Sequence, residues 1–182
     1  MVILIGPSGT GKSSIEKALE EKGFSRVISY TTREKRKGEV DGVNYHYIDE
    51  KTFKDFSKKG YFAETAYYNK HYYGAKKEDF VPFAVAVFET EGLAQVEDQG
   101  IKHFLVFIDS EKGALYDRML KRGDTEVSAR NRITLDESLF DPESIDPDLV
   151  ITNGQTEDVE QAISQIAETI KKAYQCWIEK SQ

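Results

Sequence analysis

The chain has 182 residues, 39% of them hydrophobic and 31% charged, the make-up of one folded core with at most small insertions. A formal net charge of −7, and no Lys or Arg between Ile133 and Ile170, exclude a broad nucleic-acid-binding surface. The four apolar residues ahead of Gly6 are too few for a signal peptide or a membrane span, and the single cysteine, Cys176, excludes an internal disulfide. The expectation is a cytoplasmic protein with no membrane and no nucleic-acid partner, monomeric or homodimeric.

The elements follow in order. Val2 to Ile5 is an apolar strand, followed by a glycine-rich turn and then a helix carrying Ile15, Ala18 and Leu19, which Gly23 ends. Arg26 to Ile28 reads as a second strand, giving a βαβ unit and hence a parallel sheet. Residues 30–80 differ in texture and hold eight of the ten tyrosines. Within them Val43, Tyr45 and Tyr47 alternate like a strand, Phe53 and Phe56 suit a short helix, and Tyr61 to Tyr68 and His71 to Gly74 suggest further strands. The run Phe83 to Phe88 is continuously apolar, as in a strand buried on both faces. A helix over 91–99, a buried strand from His103 to Ile108 and a helix from Glu111 to Lys121 follow. The segment holding Arg118, Arg122, Arg130 and Arg132 has little apolar periodicity and reads as a mobile lid. Phe140 to Pro147 reads as a surface loop and Asp148 to Thr152 as a last strand. Val159, Ile163, Ile166, Ile170, Tyr174 and Trp177 form the apolar stripe of a final helix. The chain divides into a core of 1–29, 81–121 and 141–182, a substrate lobe of 30–80 and a lid of 122–140.

The strongest chemical signal is Gly6-Pro7-Ser8-Gly9-Thr10-Gly11-Lys12-Ser13 between the first strand and helix. This G-x-x-x-x-G-K-S spacing lets backbone N–H groups turn inward around phosphate oxygens. The start of the next helix adds its positive end. Lys12 reaches the β and γ phosphates and Ser13 is the candidate Mg²⁺ ligand. Charge elsewhere agrees with a small anionic ligand. Residues 25–80 hold 12 Lys and Arg against 9 Asp and Glu, whereas the remainder holds 13 against 23.

The stretch Ser29-Tyr30-Thr31-Thr32-Arg33-Glu34-Lys35-Arg36-Lys37-Gly38-Glu39-Val40-Asp41-Gly42-Val43-Asn44-Tyr45 resembles the guanylate kinase signature. So do Phe62-Ala63-Glu64-Thr65-Ala66, His71-Tyr72-Tyr73-Gly74 and Val150-Ile151-Thr152-Asn153, in order along essentially the whole chain. The resemblance implies a three-layer α/β/α P-loop NTPase fold with a parallel sheet, a small mixed α/β monophosphate-binding insert and a lid. It implies transfer of the γ-phosphoryl group of ATP, with Mg²⁺, to GMP or dGMP. Ser29, Arg33, Arg36, Tyr45 and Tyr73 would hold the acceptor phosphate, with Glu39 orienting the arginines. Glu64 would read guanine, with Ala75 and Glu89 nearby. The phosphate loop from Gly6 to Ser14, with Arg118 and Asn153, would hold ATP. Arg122 and Arg132 would reach its phosphates from the lid, with Arg130 the alternative to Arg132 because the lid is about one residue short.

The residue chemistry fits these roles. Two arginines at i and i+3 present forked donors to a dianionic phosphate. Tyr45 is either a neutral donor or a packed ring. The Glu64 carboxylate can accept both donors of guanine's Watson–Crick edge, which adenine lacks; otherwise it is a solvated strand residue. Three departures from the family, at four positions, stand out. Ala75 replaces a Ser or Thr that helps hold the base. In Ala86-Val87-Phe88-Glu89, Val87 and Glu89 replace two aspartates. Asp109 stands where proline is common. These departures leave open a different nucleotide or small phosphorylated acceptor, and a non-catalytic binding module is the competitor from another class. The intact Gly11-Lys12-Ser13 opposes the latter.

Overall fold

A computed structural model describes residues 1–180; positions 181 and 182 of the expected core segment lie outside the described residues. The centre is a five-stranded parallel sheet in the order β2-β7-β1-β8-β9. Its strands are β1 (Val2–Ile5), β2 (Ser25–Arg26), β7 (Ala84–Val87), β8 (Phe104–Asp109) and β9 (Leu149–Thr152). Alternation along β1 divides the core. Val2 and Leu4 pack with Ile15 and Leu19 of α1 (Lys12–Glu21) and with Ile163, Ile170 and Tyr174 of α7 (Val159–Lys180). Ile3 and Ile5 face Leu93 and Val96 of α3 (Thr90–Asp98). All four β1 residues are 0% exposed. Each buried aliphatic side chain of this kind contributes about 1.5–3 kcal/mol, so the strand carrying the phosphate loop is among the best-fixed parts of the molecule.

A second sheet, in the order β4-β3-β6-β5, lies between β2 and β7 in sequence. It comprises β3 (Tyr30–Thr31), β4 (His46–Tyr47), β5 (Phe62–Tyr68) and β6 (His71–Lys76). Asn69 and Lys70, with φ of 46° and 67°, make the β5–β6 turn, the positive-φ pair that a two-residue hairpin of matching twist requires. Aromatic rings bind the sheet to α2 (Glu50–Lys58): Phe53 stacks on Phe62 at 4.7 Å and on Tyr72 at 5.3 Å. The open edge of β5 is covered by side chains of α3. Thr65 N–H donates to Gln95 at 3.0 Å, Tyr67 N–H donates to Glu91 at 2.8 Å, and Gln99 donates to the Ala63 carbonyl at 2.7 Å. This covering satisfies an edge that would otherwise invite pairing.

Several expectations change. The Arg26–Ile28 strand shortens to Ser25–Arg26, with Val27 N–H still bonded to Val85. The alternation at 43–48 yields only His46–Tyr47, because Val40 to Asn44 closes into a turn in which the Asn44 side chain accepts the Val40 N–H at 2.8 Å. The loop from Phe140 contains a one-turn helix, α6 (Pro142–Ile145), capped by Asp141. Val159 is 62% exposed, since it begins α7 instead of joining its buried stripe. The largest change is the lid. After α4 (Lys112–Lys121), the segment expected to be irregular forms a 14-residue helix, α5 (Glu126–Leu139), capped by Thr125. Its inward face reads Ala129, Arg132, Asp136. The helical period is present, but only Ala129 of these three is apolar, packed on Leu115 and Met119, whereas Arg132 lines a polar cavity and Asp136 bonds the phosphate loop. Among the described residues no helix is long and apolar enough to cross a membrane.

Candidate active site

The site lies at the carboxyl edge of the parallel sheet, where β7 and β8 flank β1 on opposite sides. The loop leaves β1 at Gly6, whose φ of 138° suits glycine and whose missing Cβ would collide with the Ile108 carbonyl. It enters α1 through Gly11, left-handed at φ 94°. Asn153 fastens its far side, donating to the Thr10 carbonyl at 2.8 Å. Thr10 is fully buried, its hydroxyl turned back onto Pro7. Gly6, Pro7 and Thr10 form the back of the loop, while Ser8, Gly9, Gly11, Lys12, Ser13 and Ser14 line a cavity of 460 Å³.

Across that cavity stand Arg33, Arg36, Glu39, Tyr45 and Tyr73 from the small sheet and its loops, with Arg122 and Arg132 from the lid. Glu39 organises the first group. It accepts from Arg33 at 2.8 Å, from the Arg36 N–H at 2.8 Å and from the Tyr47 hydroxyl at 2.7 Å. Burial alone would raise its carboxyl, but these three donors hold it down at about 2. The Arg33 guanidinium also lies 5.4 Å from the centre of the Tyr45 ring, so Tyr45 is at once a packed ring and a cavity wall. Burial pushes the Tyr45 and Tyr73 hydroxyls upward, keeping them neutral donors.

The lid side is equally ordered. Asp124 pairs with Arg122 at 2.5 Å and with Arg132 at 3.4 Å. The Arg132 Nε is the one buried side-chain polar atom without a hydrogen-bond partner among the described residues, a donor held ready for an anion. Arg130 instead lies over the Tyr116 ring at 5.4 Å and does not line the cavity. Lys12 donates to the carbonyls of Gly6 at 2.5 Å and Pro7 at 2.8 Å. Burial lowers its ammonium, while Glu89 and Asp136 raise it. Glu89, in turn, is pushed by burial up to about 7 against the pull of Lys12. Seven basic side chains and two glutamates line this cavity, a composition suited to polyphosphate.

A second cavity of 580 Å³ shares Gly11, Ser14 and Arg118 with the first and adds Asn153, Gln155 and Ile163. Arg118 is a clamp here, donating to the carbonyls of Asn153 at 2.9 Å and Gly154 at 2.7 Å. The two cavities together suit an elongated ligand lying along the loop.

Three expected residues do not line the first cavity. Ser29 lines an adjoining hollow with Glu16 and Val43. Ala75 is fully buried in the apolar cluster of Ile3 and Phe88. Glu64 is 3% exposed and packs against α3 at Gly92, where a Cβ would collide with its carboxylate. Burial raises its carboxyl to about 8, against a lowering hydrogen bond from the Ala75 N–H. Three residues in the site were not anticipated from sequence: Tyr47, Tyr68 and Asp136. The signal for Asp136 was its i+4 spacing from Arg132, which places both on one helix face.

For Mg²⁺ the donor set fits. Ser13 lines the cavity floor, and this ion takes one or two protein oxygens and completes its shell with phosphates and water.

Known proteins resemble this chain in sequence and in fold. A model of the guanylate kinase family matches residues 1–173. The chain is 37% identical over 145 residues to the guanylate kinase of Onion yellows phytoplasma, covering 73% of this chain and 68% of that one. It is 36% identical over 186 residues to the guanylate kinase of Helicobacter pylori, covering 93% and 87%. The crystal structure of guanylate kinase from Anaplasma phagocytophilum shares the fold, with a TM-score of 0.66 at 23% identity over 94% of this chain and 85% of that chain. On this sequence match and this shared P-loop architecture, the chain belongs to the guanylate kinase family.

Proposed function

We propose that the chain transfers the terminal phosphoryl group of ATP to GMP, releasing ADP and GDP. The observation that carries this reading is the facing of two phosphate-holding sets across one cavity: the Lys12 loop on one wall, and Arg33, Arg36, Tyr45 and Tyr73 on the other. ATP would lie along the loop, its base end toward Arg118 and Asn153. Arg33 and Arg36, braced by Glu39, would fix the acceptor phosphate. Arg122 and Arg132 would neutralise charge on the group in flight. Catalysis is then positioning and charge stabilisation without a covalent nucleophile. Mg²⁺, held by Ser13 and the phosphates, supplies further charge neutralisation when bound. Glu64 would read guanine, its carboxylate accepting the two donors of that base. The exposed Cys176, alone in the chain, supports a reducing, cytoplasmic setting.

The test is ADP release with GMP, dGMP, AMP, CMP and UMP as acceptors. GMP-dependent turnover, abolished without an acceptor, is expected. A lead for AMP or a pyrimidine removes the acceptor assignment, and ATP consumption in no case removes the activity.

A further inference from the structure

Asp136 is a buried carboxylate to which the reaction above gives no task. It lies on α5 one turn beyond Arg132 and is 2% exposed. Both of its oxygens are engaged. Oδ2 accepts the backbone N–H of Ser8 in the phosphate loop at 2.6 Å. Oδ1 accepts the hydroxyl of Tyr68, on β5, at 2.6 Å. The Tyr68 and Ser8 hydroxyls are themselves 3.0 Å apart. Lid, loop and lobe therefore meet at one carboxylate.

A phosphate loop works through its backbone N–H groups. A carboxylate oxygen already bonded to one of them excludes a phosphate oxygen from it, by volume and by like charge. The phosphate excluded can be named. The Lys12 head group hydrogen-bonds the carbonyls of Gly6 and Pro7, the residues preceding Ser8, and the lysine of such a loop serves the β and γ phosphates. The Ser8 end is thus the terminal-phosphate end. We propose that Asp136 is an internal stand-in for the terminal phosphate of a nucleoside triphosphate: with Tyr68 it latches the lid onto the loop, and ATP binds by displacing it. This rests on the reading of the loop as the ATP site.

A latch of this kind lowers the apparent affinity for ATP by the fraction of molecules in which it is open. ADP lacks the terminal phosphate and leaves the latch in place. Displacement also frees α5 to carry Arg132, with its unpartnered Nε, toward the incoming charge.

The test is calorimetric titration of the full chain with ATP and with ADP, in Mg²⁺, alongside thermal melting without nucleotide. Asp136→Ala is expected to bind ATP about tenfold tighter, to bind ADP as the native protein does, and to melt lower. Tyr68→Phe should move both quantities the same way by less. An acid that only holds the fold together would, when removed, lower melting temperature and ATP affinity alike, so the opposite signs are diagnostic. Should alanine fail to fold, Asp136→Asn keeps the shape and drops the charge. ATP binding unchanged or weakened in a folded variant overturns the proposal, and an equal gain for ADP overturns the assignment to the terminal phosphate. Lys12→Ala separates the two readings. If it loses ATP binding while Asp136→Ala is unchanged, the loop reading stands and the latch falls; if ATP binding ignores Lys12, both fall.

Discussion

The two sheets of this molecule hold their chemistry by different means. The five-stranded sheet fixes its site through backbone. Strands buried on both faces position a loop whose N–H groups and one lysine form the proposed phosphate seat. The four-stranded sheet has two strands of only two residues each and fixes its site through one side chain, Glu39, that gathers two side-chain donors and one backbone N–H. The first arrangement concentrates its proposed chemistry in one side chain, Lys12, on a backbone that burial holds in place. The second distributes its function over a network in which each member acts on the others.

Removing the one mobile charge of the backbone-built site should therefore have the largest effect. Lys12→Ala is expected to cost about 10²–10³ in turnover, the usual scale for one transition-state charge contact. The fold should survive, because what is lost is one contact over the Phe140 ring and two hydrogen bonds to loop carbonyls, while β1 and α1 stay packed in the core. Turnover near that of the native protein at saturating ATP would break the division.

The side-chain-built site comes next. Arg33→Ala and Arg36→Ala should each weaken GMP binding by about 1.5–3 kcal/mol, the value of a charge-assisted hydrogen bond, and leave ATP binding nearly intact. Arg33 should be the more damaging, since its loss also strands Glu39, whose side chain is 17% exposed. Calorimetry giving equal losses for ATP and GMP would show that the two walls of the cavity are one site.

The same contrast explains what was legible in the sequence. A backbone-built site leaves a dense local signature, so the loop, its strand and its helix were readable from Val2 to Leu19 alone. The buried strands were readable too, because burial on both faces writes unbroken apolar runs. The lid was not. Its inner face, Ala129, Arg132 and Asp136, carries the helical period with two charged residues, which hydropathy scores as surface. Tyr47 and Asp136 were missed because each acts through a partner that no local pattern marks: Glu39, across the turn before β4, and Ser8, at the other end of the fold. Packing likewise separates Arg130 from Arg132: Arg130 lies over Tyr116, and Arg132 lines the cavity. The expectation for Ala75 rested on a family position, and its place inside the apolar cluster had no local sequence signal.

Glu64 sharpens the comparison through pH. Burial raises its carboxyl to about 8, opposed by the Ala75 N–H and aided by Glu89 and Glu91. The folded protein therefore binds a proton here that the unfolded chain, with its carboxyl near 4.5, has already lost. Stability attributable to Glu64 declines as pH rises from about 4.5 to 8. Guanine needs the ionised form, so GMP affinity should rise between pH 6.5 and 8 by at most about tenfold per pH unit, then level off. Proton release on binding, measured by calorimetry in two buffers of different ionisation heat, checks this. Glu64→Gln should flatten the profile, and a native profile already flat would remove Glu64 from base reading.

The smallest effect expected is that of Tyr47→Phe, and it bears most directly on whether Glu39 is a hub. The substitution removes a single hydroxyl that donates to Glu39 at 2.7 Å and keeps the ring that lies 5.8 Å from Arg33. A hydrogen bond to a charged group is worth about 1.5–3 kcal/mol, and because Arg33 and the Arg36 N–H still hold the carboxylate, only part of it, about 0.5–1.5 kcal/mol, should reach the arginines. If Glu39 transmits its constraint to the arginines, this appears as a two- to twelvefold rise in the Michaelis constant for GMP, with that for ATP unchanged. The acid limb of stability supplies the second readout. Glu39, held at about 2 against an ordinary 4.5, contributes stability present above pH 4.5 and lost as pH falls toward 2. With one donor gone its carboxyl should rise and that loss should begin at higher pH. Tyr67→Phe, on the exposed face of β5, is the control. A Tyr47→Phe protein that shifts acid stability but binds GMP normally would make Glu39 a brace for the loop alone, and the arginines would then owe their positions to Tyr45 and the backbone.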